Sequence, residues 1–285
     1  AYGVSRSGSD EQDVKIRDVD TGEDYDEVLR WCRFTYISWK HDQSGFFYSR
    51  FPDPETVEPD DRMNYNRVYW HKLGTEQSED LLVYERPDNK ELGFSPIVTE
   101  DGKYLVLDVY HGTDTRNRVY YKPIDSDGPF VRLLDEANAK YSFVGNVGTL
   151  FYFNTDLDAA RGRIIAIDIN EPGRDKWRTI VAEGEGVIDR VTFAGGKIVV
   201  VYMRDVHHEM KVFGMDGEFL RDIPLPTVGT VGGFSGRQAD NELFFSFTSF
   251  LFPQTSYRYD LETNRKSVVR RPDIDFDSSP YMTQQ

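Results

Sequence analysis

Residues 99–114, with the sequence TEDGKYLVLDVYHGTD, combine a tight turn with a strand that lacks a polar face. The dipeptide Asp101-Gly102 is typical of the positive-φ positions of a hairpin turn. Residues 104–107 are all large and apolar, and the first polar side chain after them is Asp108. Such a run predicts a strand that is buried on both of its faces.

This turn-plus-strand unit recurs along the chain. Its five copies are anchored at Gly45, Gly102, Gly148, Gly196 and Asn241. Successive anchors therefore lie 57, 46, 48 and 45 residues apart. A second unit, a short strand that ends in a polar turn, alternates with the first. Its six copies begin at residues 14, 67, 119, 164, 211 and 257. A period of about 40 to 55 residues, with about four strands in each period, is typical of β-propeller blades.

The predicted fold class is therefore all-β, and within it a β-propeller. Five complete blades and the outer half of a preceding blade account for both kinds of unit, which makes about five and a half blades in this chain. A β-sandwich of unrelated hairpins is the alternative, and the fixed order of two alternating units disfavours it. Helical periodicity is weak, and its best stretch, residues 26–33, is short.

The composition argues against several classes of partner. The net charge is −15, from 49 acidic and 34 basic residues. This charge disfavours nucleic acid and anionic membranes, because phosphate binding needs clustered lysine and arginine. The apolar runs are far too short to span a bilayer. Cys32 is the one cysteine, so no disulfide can form within the chain and a reducing compartment is expected.

Side chains of catalytic or metal-binding type are scattered. Ser235 lies in a glycine-rich stretch without the spacing or the helix of a serine-nucleophile elbow, so a turn entering a blade is predicted there. His207 and His208 would point to opposite faces of a strand, and a solvated hairpin tip is predicted rather than a metal site. Cys32 is predicted to be packed, and Glu79-Asp80 to lie on a solvated face. The residues alone predict no catalytic site, cofactor or metal.

Several segments resemble prolyl oligopeptidases, a family of cytosolic serine peptidases, and they follow the family's order along nearly the whole chain. These segments are residues 1–10, 39–52, 73–80, 228–236 and 247–251. In that family a seven-bladed propeller caps an α/β-hydrolase domain that holds the catalytic serine, aspartate and histidine. The resemblance implies the fold of that propeller for this chain.

The resemblance also implies a domain division. Residues 1–272 correspond to an incomplete propeller, from the middle of blade two to the end of blade seven, and residues 273–285 correspond to a linker toward the hydrolase domain. The chain begins with Ala1 in what looks like the end of a strand, so a fragment is expected. Every catalytic residue of the family would then lie outside it.

Four residues are candidates for the substrate pocket or the domain interface. By resemblance, Asp10 matches an acidic residue that pairs with a hydrolase-domain arginine near the substrate, and Phe34 matches an aromatic that lines the peptide pocket. Tyr110 stands where relatives have an arginine near the domain interface, and Thr113 where some have a pocket cysteine. Glu11 replaces the usual tryptophan after the first position, so the subsite preference is open.

The implied function is that of the substrate-gating propeller of a serine oligopeptidase that cleaves short peptides after proline. The expected partners are the hydrolase domain of the same polypeptide and short proline-containing peptides, in a monomeric, cytoplasmic protein; a periplasmic location stays open. The chain alone is expected to cleave nothing. Two alternatives are a free-standing propeller that binds proteins or peptides, and an exported propeller related only by architecture.

Overall fold

The computed structural model describes residues 1–275, 280–281 and 283. This described part contains strands and three 3₁₀ turns but no α-helix, and the turns span Pro59–Asp61, Gln77–Glu79 and Arg174–Lys176. No helix among these residues is long and apolar enough to cross a membrane. The chain divides into two compact units, Ala1–Lys140 and Tyr141–Gln285.

The first unit contains three antiparallel sheets whose strands pair in chain order. The first sheet has three strands: β1 (Tyr2–Ser5), β2 (Gln12–Arg17) and β3 (Asp24–Leu29). The second sheet has four strands: β4 (Ile37–Trp39), β5 (Gly45–Arg50), β6 (Arg67–Lys72) and β7 (Leu81–Tyr84). The third sheet also has four: β8 (Leu92–Val98), β9 (Tyr104–His111), β10 (Arg118–Pro123) and β11 (Val131–Leu134).

The second unit contains three four-stranded sheets of the same up-and-down order. The first comprises β12 (Tyr141–Val147), β13 (Leu150–Thr155), β14 (Arg163–Asp168) and β15 (Arg178–Val181). The next comprises β16 (Val187–Ala194), β17 (Lys197–Arg204), β18 (His207–Gly214) and β19 (Phe219–Ile223). The last comprises β20 (Thr230–Gly236), β21 (Glu242–Ser249), β22 (Phe252–Asp260) and β23 (Lys266–Arg270).

The two sequence repeats correspond to two strands of every four-stranded sheet. The turn-plus-strand unit leads into the second strand of each sheet, and the other unit forms the third strand. Because β2 is such a third strand, β1 is the second strand of the opening sheet. The prediction of an outer half-blade was therefore wrong by one strand, since this sheet keeps three strands.

The second strands form the core of each sheet, as the opening stretch predicted. Leu105, Val106 and Leu107 of β9 are fully buried, and each such side chain stabilises the fold by about 2 kcal/mol. The turn before β9 differs from the prediction, since Gly102 alone adopts a positive φ, at 70°. The Asp101 carboxylate instead accepts the Lys103 backbone N–H at 3.1 Å, which stabilises the turn without a left-handed aspartate.

Residues 26–33, whose helical periodicity is weak, contribute to the outer strand β3, because pairing with β2 satisfies their backbone groups. One other local prediction was wrong. The glycine-rich stretch around Ser235 forms strand β20 rather than a turn, with a register shift between Val231 and Phe234 that accommodates the two glycines.

The strand order places the connections at two opposite edges of each sheet. In consecutive antiparallel strands, the connections after a second and a fourth strand lie at one edge, and the others lie at the opposite edge. In the first unit we call the former, together with the strand ends that adjoin them, the site edge; its connections are residues 6–11, 30–36, 51–66, 85–91, 112–117 and 135–140. The expected linker, residues 273–285, falls largely outside the described residues, and positions 273–275, 280–281 and 283 contain no strand or helix.

Candidate functional site

All four candidate residues lie at the site edge of the first unit. Asp10 belongs to the connection between β1 and β2, and Phe34 to the connection between β3 and β4. Tyr110 is the penultimate residue of β9, and Thr113 follows in the turn toward β10. Three different sheets thus contribute one side chain or more to the same edge.

Asp10 is exposed in a short turn. The turn is fixed by Ser9, whose hydroxyl accepts the Glu11 backbone N–H at 3.1 Å. Glu11 then reaches the next connection, because its carboxylate lies 3.0 Å from Arg33 Nε. The ion pair neutralises Glu11 and leaves the Asp10 carboxylate as the available negative charge of this turn.

Phe34 is presented to solvent by a strained backbone. Its ring is 52% exposed, and its φ of 53° lies in the left-handed region, which costs a residue other than glycine about 1–2 kcal/mol. The Arg33 guanidinium lies 6.0 Å from the centre of the ring and donates a hydrogen bond to the Met63 sulfur at 2.9 Å. Such strain persists only where surrounding contacts hold the residue in place.

Those contacts come from the second sheet, which forms hydrogen bonds near both ends of the connection between β3 and β4. The Arg30 backbone N–H donates to the Gln77 side chain at 3.0 Å. The Phe51 N–H donates to the Trp31 carbonyl at 3.1 Å. Near the other end, the Ser49 N–H donates to the Thr35 hydroxyl at 3.2 Å. The connection that carries Phe34 is therefore fastened to strand β5 and the loop before β7.

Cys32 lies inside this connection and is fully buried, as predicted for a packed residue. Its thiol donates to the Arg30 carbonyl at 3.3 Å. Burial raises the pKa of the Cys32 thiol to about 12, so it stays protonated at neutral pH and is a poor nucleophile.

Tyr110 is half-buried and held over a glycine. A Cβ atom at Gly93 would lie 2.2 Å from the Tyr110 Cζ atom, so the ring needs glycine beneath it. Burial, then the Asp108 carboxylate, then Tyr36 raise the pKa of Tyr110 to about 12. The phenol is therefore neutral at physiological pH and offers a hydrogen-bond donor. Burial also raises the pKa of Asp108, which accepts a 2.6 Å bond from Asn117.

Three aromatic residues and one methionine at this edge are together called the aromatic patch: Phe34, Tyr36, Tyr110 and Met63. Arg33 contacts both Phe34 and Met63. Tyr36 is largely exposed, and it makes the smallest of the three contributions that raise the pKa of Tyr110. Flat rings with exposed faces bind apolar side chains and rigid rings such as proline. The patch holds no nucleophile paired with a base, so its chemistry is that of binding.

Thr113 is exposed in the turn that follows β9. The same turn is fixed by an ion pair in which Arg116 lies 2.6 Å from the Asp114 carboxylate. Hydrogen bonds from Arg116 lower the pKa of Asp114 to about 2. Thr113 thus lies at the rim of the site edge, on a turn with its own internal support.

The paired histidines are placed differently from the prediction. They begin strand β18 and point to opposite faces, as predicted, but His208 is buried rather than solvated, because its ring packs against the next sheet. Its Nδ1 accepts the Val231 backbone N–H at 2.8 Å. No cluster of three or more potential metal ligands occurs in the part of the chain that the structure describes.

Asp80 was also predicted to be solvated, and this was wrong. Its carboxylate and the His71 ring are fully buried and lie 2.7 Å apart. The Tyr48 hydroxyl donates to the other carboxylate oxygen at 2.5 Å, and the Gln77 amide donates to that hydroxyl at 3.1 Å. The Asp80 carboxylate is buried because two buried donors, the Tyr48 hydroxyl of β5 and the His71 ring of β6, need an acceptor.

Sequence reasoning missed three residues of the site edge: Arg33, Tyr36 and Arg50. Arg33 and Tyr36 lie within two residues of Phe34 in the sequence, and that proximity was the available signal. Arg50 ends strand β5, and its Cζ atom lies 4.2 Å from the centre of the Tyr69 ring and 5.4 Å from that of Trp31. Nothing in its sequence context distinguishes it from a solvated strand-end arginine.

Comparison with known proteins gives a consistent match. The family model of the prolyl oligopeptidase N-terminal β-propeller domain matches residues 1–272. A prolyl endopeptidase from Elizabethkingia miricola is 32% identical over all of this chain and 40% of its own length. Prolyl oligopeptidase A from Galerina marginata is 31% identical over 95% of this chain and 40% of its own length.

Solved structures agree with this match and with the predicted fold. A prolyl endopeptidase structure has a TM-score of 0.87 at 28% identity, and covers 97% of this chain and 40% of its own. Prolyl oligopeptidase B from Galerina marginata, bound to a 35-residue hydrolysis and macrocyclisation substrate, has a TM-score of 0.85 at 26% identity over 97% of this chain and 40% of its own. The chain thus spans about 40% of the length of these relatives. The predicted β-propeller is confirmed, and the chain belongs to the prolyl oligopeptidase N-terminal β-propeller family.

Proposed function

We propose that this chain is the substrate-gating propeller of a serine oligopeptidase that cleaves short peptides after proline, and that the chain itself is not catalytic. The supporting observation is the grouping of Asp10, Phe34 and Tyr110 at one edge of the first unit, where the last two belong to the aromatic patch. These side chains can hold a peptide, and none of them forms a nucleophile with a base.

In this proposal the catalytic serine, histidine and aspartate belong to an α/β-hydrolase domain of the same polypeptide, which residues 273–285 approach as a linker. That domain would supply the general base and the oxyanion donors for attack on the bond after proline. The propeller would cover the catalytic residues, so that short flexible peptides enter and folded proteins do not. Binding then requires movement between the two domains.

Two assays test this proposal. The purified 285-residue chain is expected to leave a chromogenic glycyl-prolyl amide intact, and reproducible cleavage by it would contradict the non-catalytic role. The full polypeptide of the gene is expected to cleave a Gly-Pro bond in a short peptide, but not the same bond within a folded domain. Equal cleavage of both substrates would contradict gating.

Reading the coding sequence beyond Gln285 separates this proposal from a free-standing propeller. A serine-nucleophile elbow followed by aspartate and histidine supports the gate. A stop codon there would favour a peptide-binding module, for which the aromatic patch is the place to look for a ligand.

A further inference from the structure

We propose that Arg50 is a carboxylate-binding residue at the site edge, and that it receives a carboxylate of the bound peptide. The inference rests on the proposed function, because it assigns a ligand group to the same site. It concerns a residue of strand β5 that neither the family positions nor the aromatic patch includes.

Two aromatic rings lie close to the Arg50 guanidinium. The Tyr69 ring lies 4.2 Å from its Cζ atom and the Trp31 ring 5.4 Å from it. A ring over a planar guanidinium covers a face of that group, whereas its five N–H donors lie in the plane and are not used by the ring contact. The rings therefore restrict the orientation of the fork, and the two terminal NH₂ groups, rather than the buried Nε, are the donors that a ligand can reach.

Within the fully described residues 1–140, Arg50 is exceptional among the arginines. Arg30, Arg50 and Arg62 have no carboxylate within 4.0 Å, but Arg30 and Arg62 are exposed to water and Arg50 is half-buried. The Arg50 Nε atom is buried without any hydrogen-bond partner. The chain has 49 acidic against 34 basic residues, so a scarcity of carboxylates does not explain the missing partner.

The neighbouring arginines show how unusual this is. Arg67 lies directly opposite Arg50 in the β5–β6 register, and its guanidinium pairs with Glu85 at 2.9 Å. Arg33, the other half-buried arginine near Phe34, pairs with Glu11 at 3.0 Å. Arg50 is therefore the half-buried arginine of residues 1–140 whose guanidinium has no carboxylate partner among the residues that the structure describes.

A carboxylate suits these donors because two parallel N–H groups match its two oxygens. Trp31 belongs to the connection that presents Phe34, three residues further along, so a peptide on the aromatic patch would pass close to this fork. A peptide supplies the group either at its C-terminus or on a glutamate or aspartate side chain, and the two sources are chemically equivalent here.

Peptide binding to the 285-residue chain tests the proposal by calorimetry. One pair of proline peptides differs by a C-terminal carboxylate or amide, and a second, amidated pair differs by an internal glutamate or glutamine. The wild-type chain is expected to bind at least one charged member about tenfold or more tightly than its neutral partner, which is the size of a charge-assisted pair. The pair that shows the difference identifies the source of the carboxylate.

The variants assign this preference to Arg50. Arg50→Met is expected to abolish it, and Arg50→Lys, which keeps the charge but lacks the fork, to retain a small part of it. Arg67→Met is the matched control and should keep the full preference. Circular dichroism checks that each variant is folded, and Arg50→Lys alone decides the matter if Arg50→Met does not fold.

The possible failures are distinguishable. Equal binding of charged and neutral peptides by the wild-type chain would overturn the role of Arg50 and leave the proposed peptide site intact. A preference that survives in Arg50→Met would do the same. Absence of binding by every peptide would contradict both the peptide site and the inference built on it.

Discussion

His208 Nδ1 accepts the backbone N–H of Val231 at 2.8 Å and thereby joins strand β18 to the first strand of the following sheet. The acceptor role requires a neutral ring, whose proton lies on Nε2, 3.6 Å from the Asp189 carboxylate. Burial lowers the pKa of His208, against the opposing effect of Asp189 and with smaller contributions from Arg190 and His207. Protonation would remove the acceptor and place a charge between two sheets.

Stability is therefore expected to fall in mild acid. Because the pKa of His208 is lower in the folded chain than its ordinary value of 6.5, the unfolded chain binds the proton first as the pH falls. The contribution of neutral His208 to the free energy of unfolding is therefore complete above about pH 6.5 and is lost as the pH falls below it. Thermal melts between pH 8 and 5.5 should show this loss in the wild type and in His207→Gln. His208→Gln, whose amide oxygen can accept from Val231, should lack it, and an unchanged slope in that variant would contradict the assignment.

The buried Asp80 carboxylate is expected to be important for folding. Asp80→Ala leaves the His71 ring nitrogen and the Tyr48 hydroxyl without their common acceptor. Each buried donor without a partner costs about 1–3 kcal/mol, so a loss of about 3 kcal/mol in the free energy of unfolding is expected by urea titration. Asp60→Ala, at an exposed carboxylate, should change it by less than about 0.5 kcal/mol. Comparable losses in the two variants would show that Asp80 has no special role.

Two substitutions of Phe34 should separate its effect on peptide binding from its effect on the stability of the chain. Phe34→Ala and Phe34→Gly are both expected to weaken binding of proline peptides up to about tenfold, because a ring contact is lost. Phe34→Gly should nevertheless be about 1 kcal/mol more stable than Phe34→Ala, since glycine adopts the positive φ without strain.

Phe219→Ala is the matched control for Phe34, because its ring is 51% exposed on the outer strand β19. It should leave peptide binding unchanged. Weaker binding in this control, or equal stability of Phe34→Gly and Phe34→Ala, would contradict the respective half of the prediction.

Gly93 is expected to set the position of Tyr110. A methyl group at Gly93 would overlap the Tyr110 ring, and such overpacking costs about 1–3 kcal/mol. Gly93→Ala should therefore destabilise the wild type and cost much less in a Tyr110→Ala background. Gly184→Ala is a control, because its added Cβ would meet nothing within 4 Å. An equal cost of Gly93→Ala in both backgrounds would exclude the contact with Tyr110 as its cause.

The blades could be predicted from the sequence because the repeat is a local property. Residues 104–107 and their counterparts are continuous apolar runs after a turn, and these runs form the buried second strands. Strand β1 was recognised as the end of a strand but was not counted in the opening blade, because its four residues carry neither of the two repeat units. Strand β20 was taken for a turn because its glycines suppress the strand signal.

The site was predictable only where a family position exists. Asp10, Phe34, Tyr110 and Thr113 were assigned by resemblance, and the structure places all four at one edge. The environment of Arg50 was out of reach, because it depends on the rings of Trp31, from the connection before β4, and Tyr69, from strand β6, both lying close to its guanidinium. Buried polar pairs are likewise decided by packing across strands that are distant in sequence.

The site edge is assembled from several connections, and the two turns that carry Asp10 and Thr113 are fixed by different side chains. The turn at Asp10 is fixed by Ser9 and the turn at Thr113 by Asp114 and Arg116. Residues without shared partners contribute nearly additively to a measured free energy. The effects of substitutions at positions 10 and 113 on the free energy of ligand binding should therefore add without epistasis. The preference for a ligand can then be changed one blade at a time, while the buried strands stay unchanged.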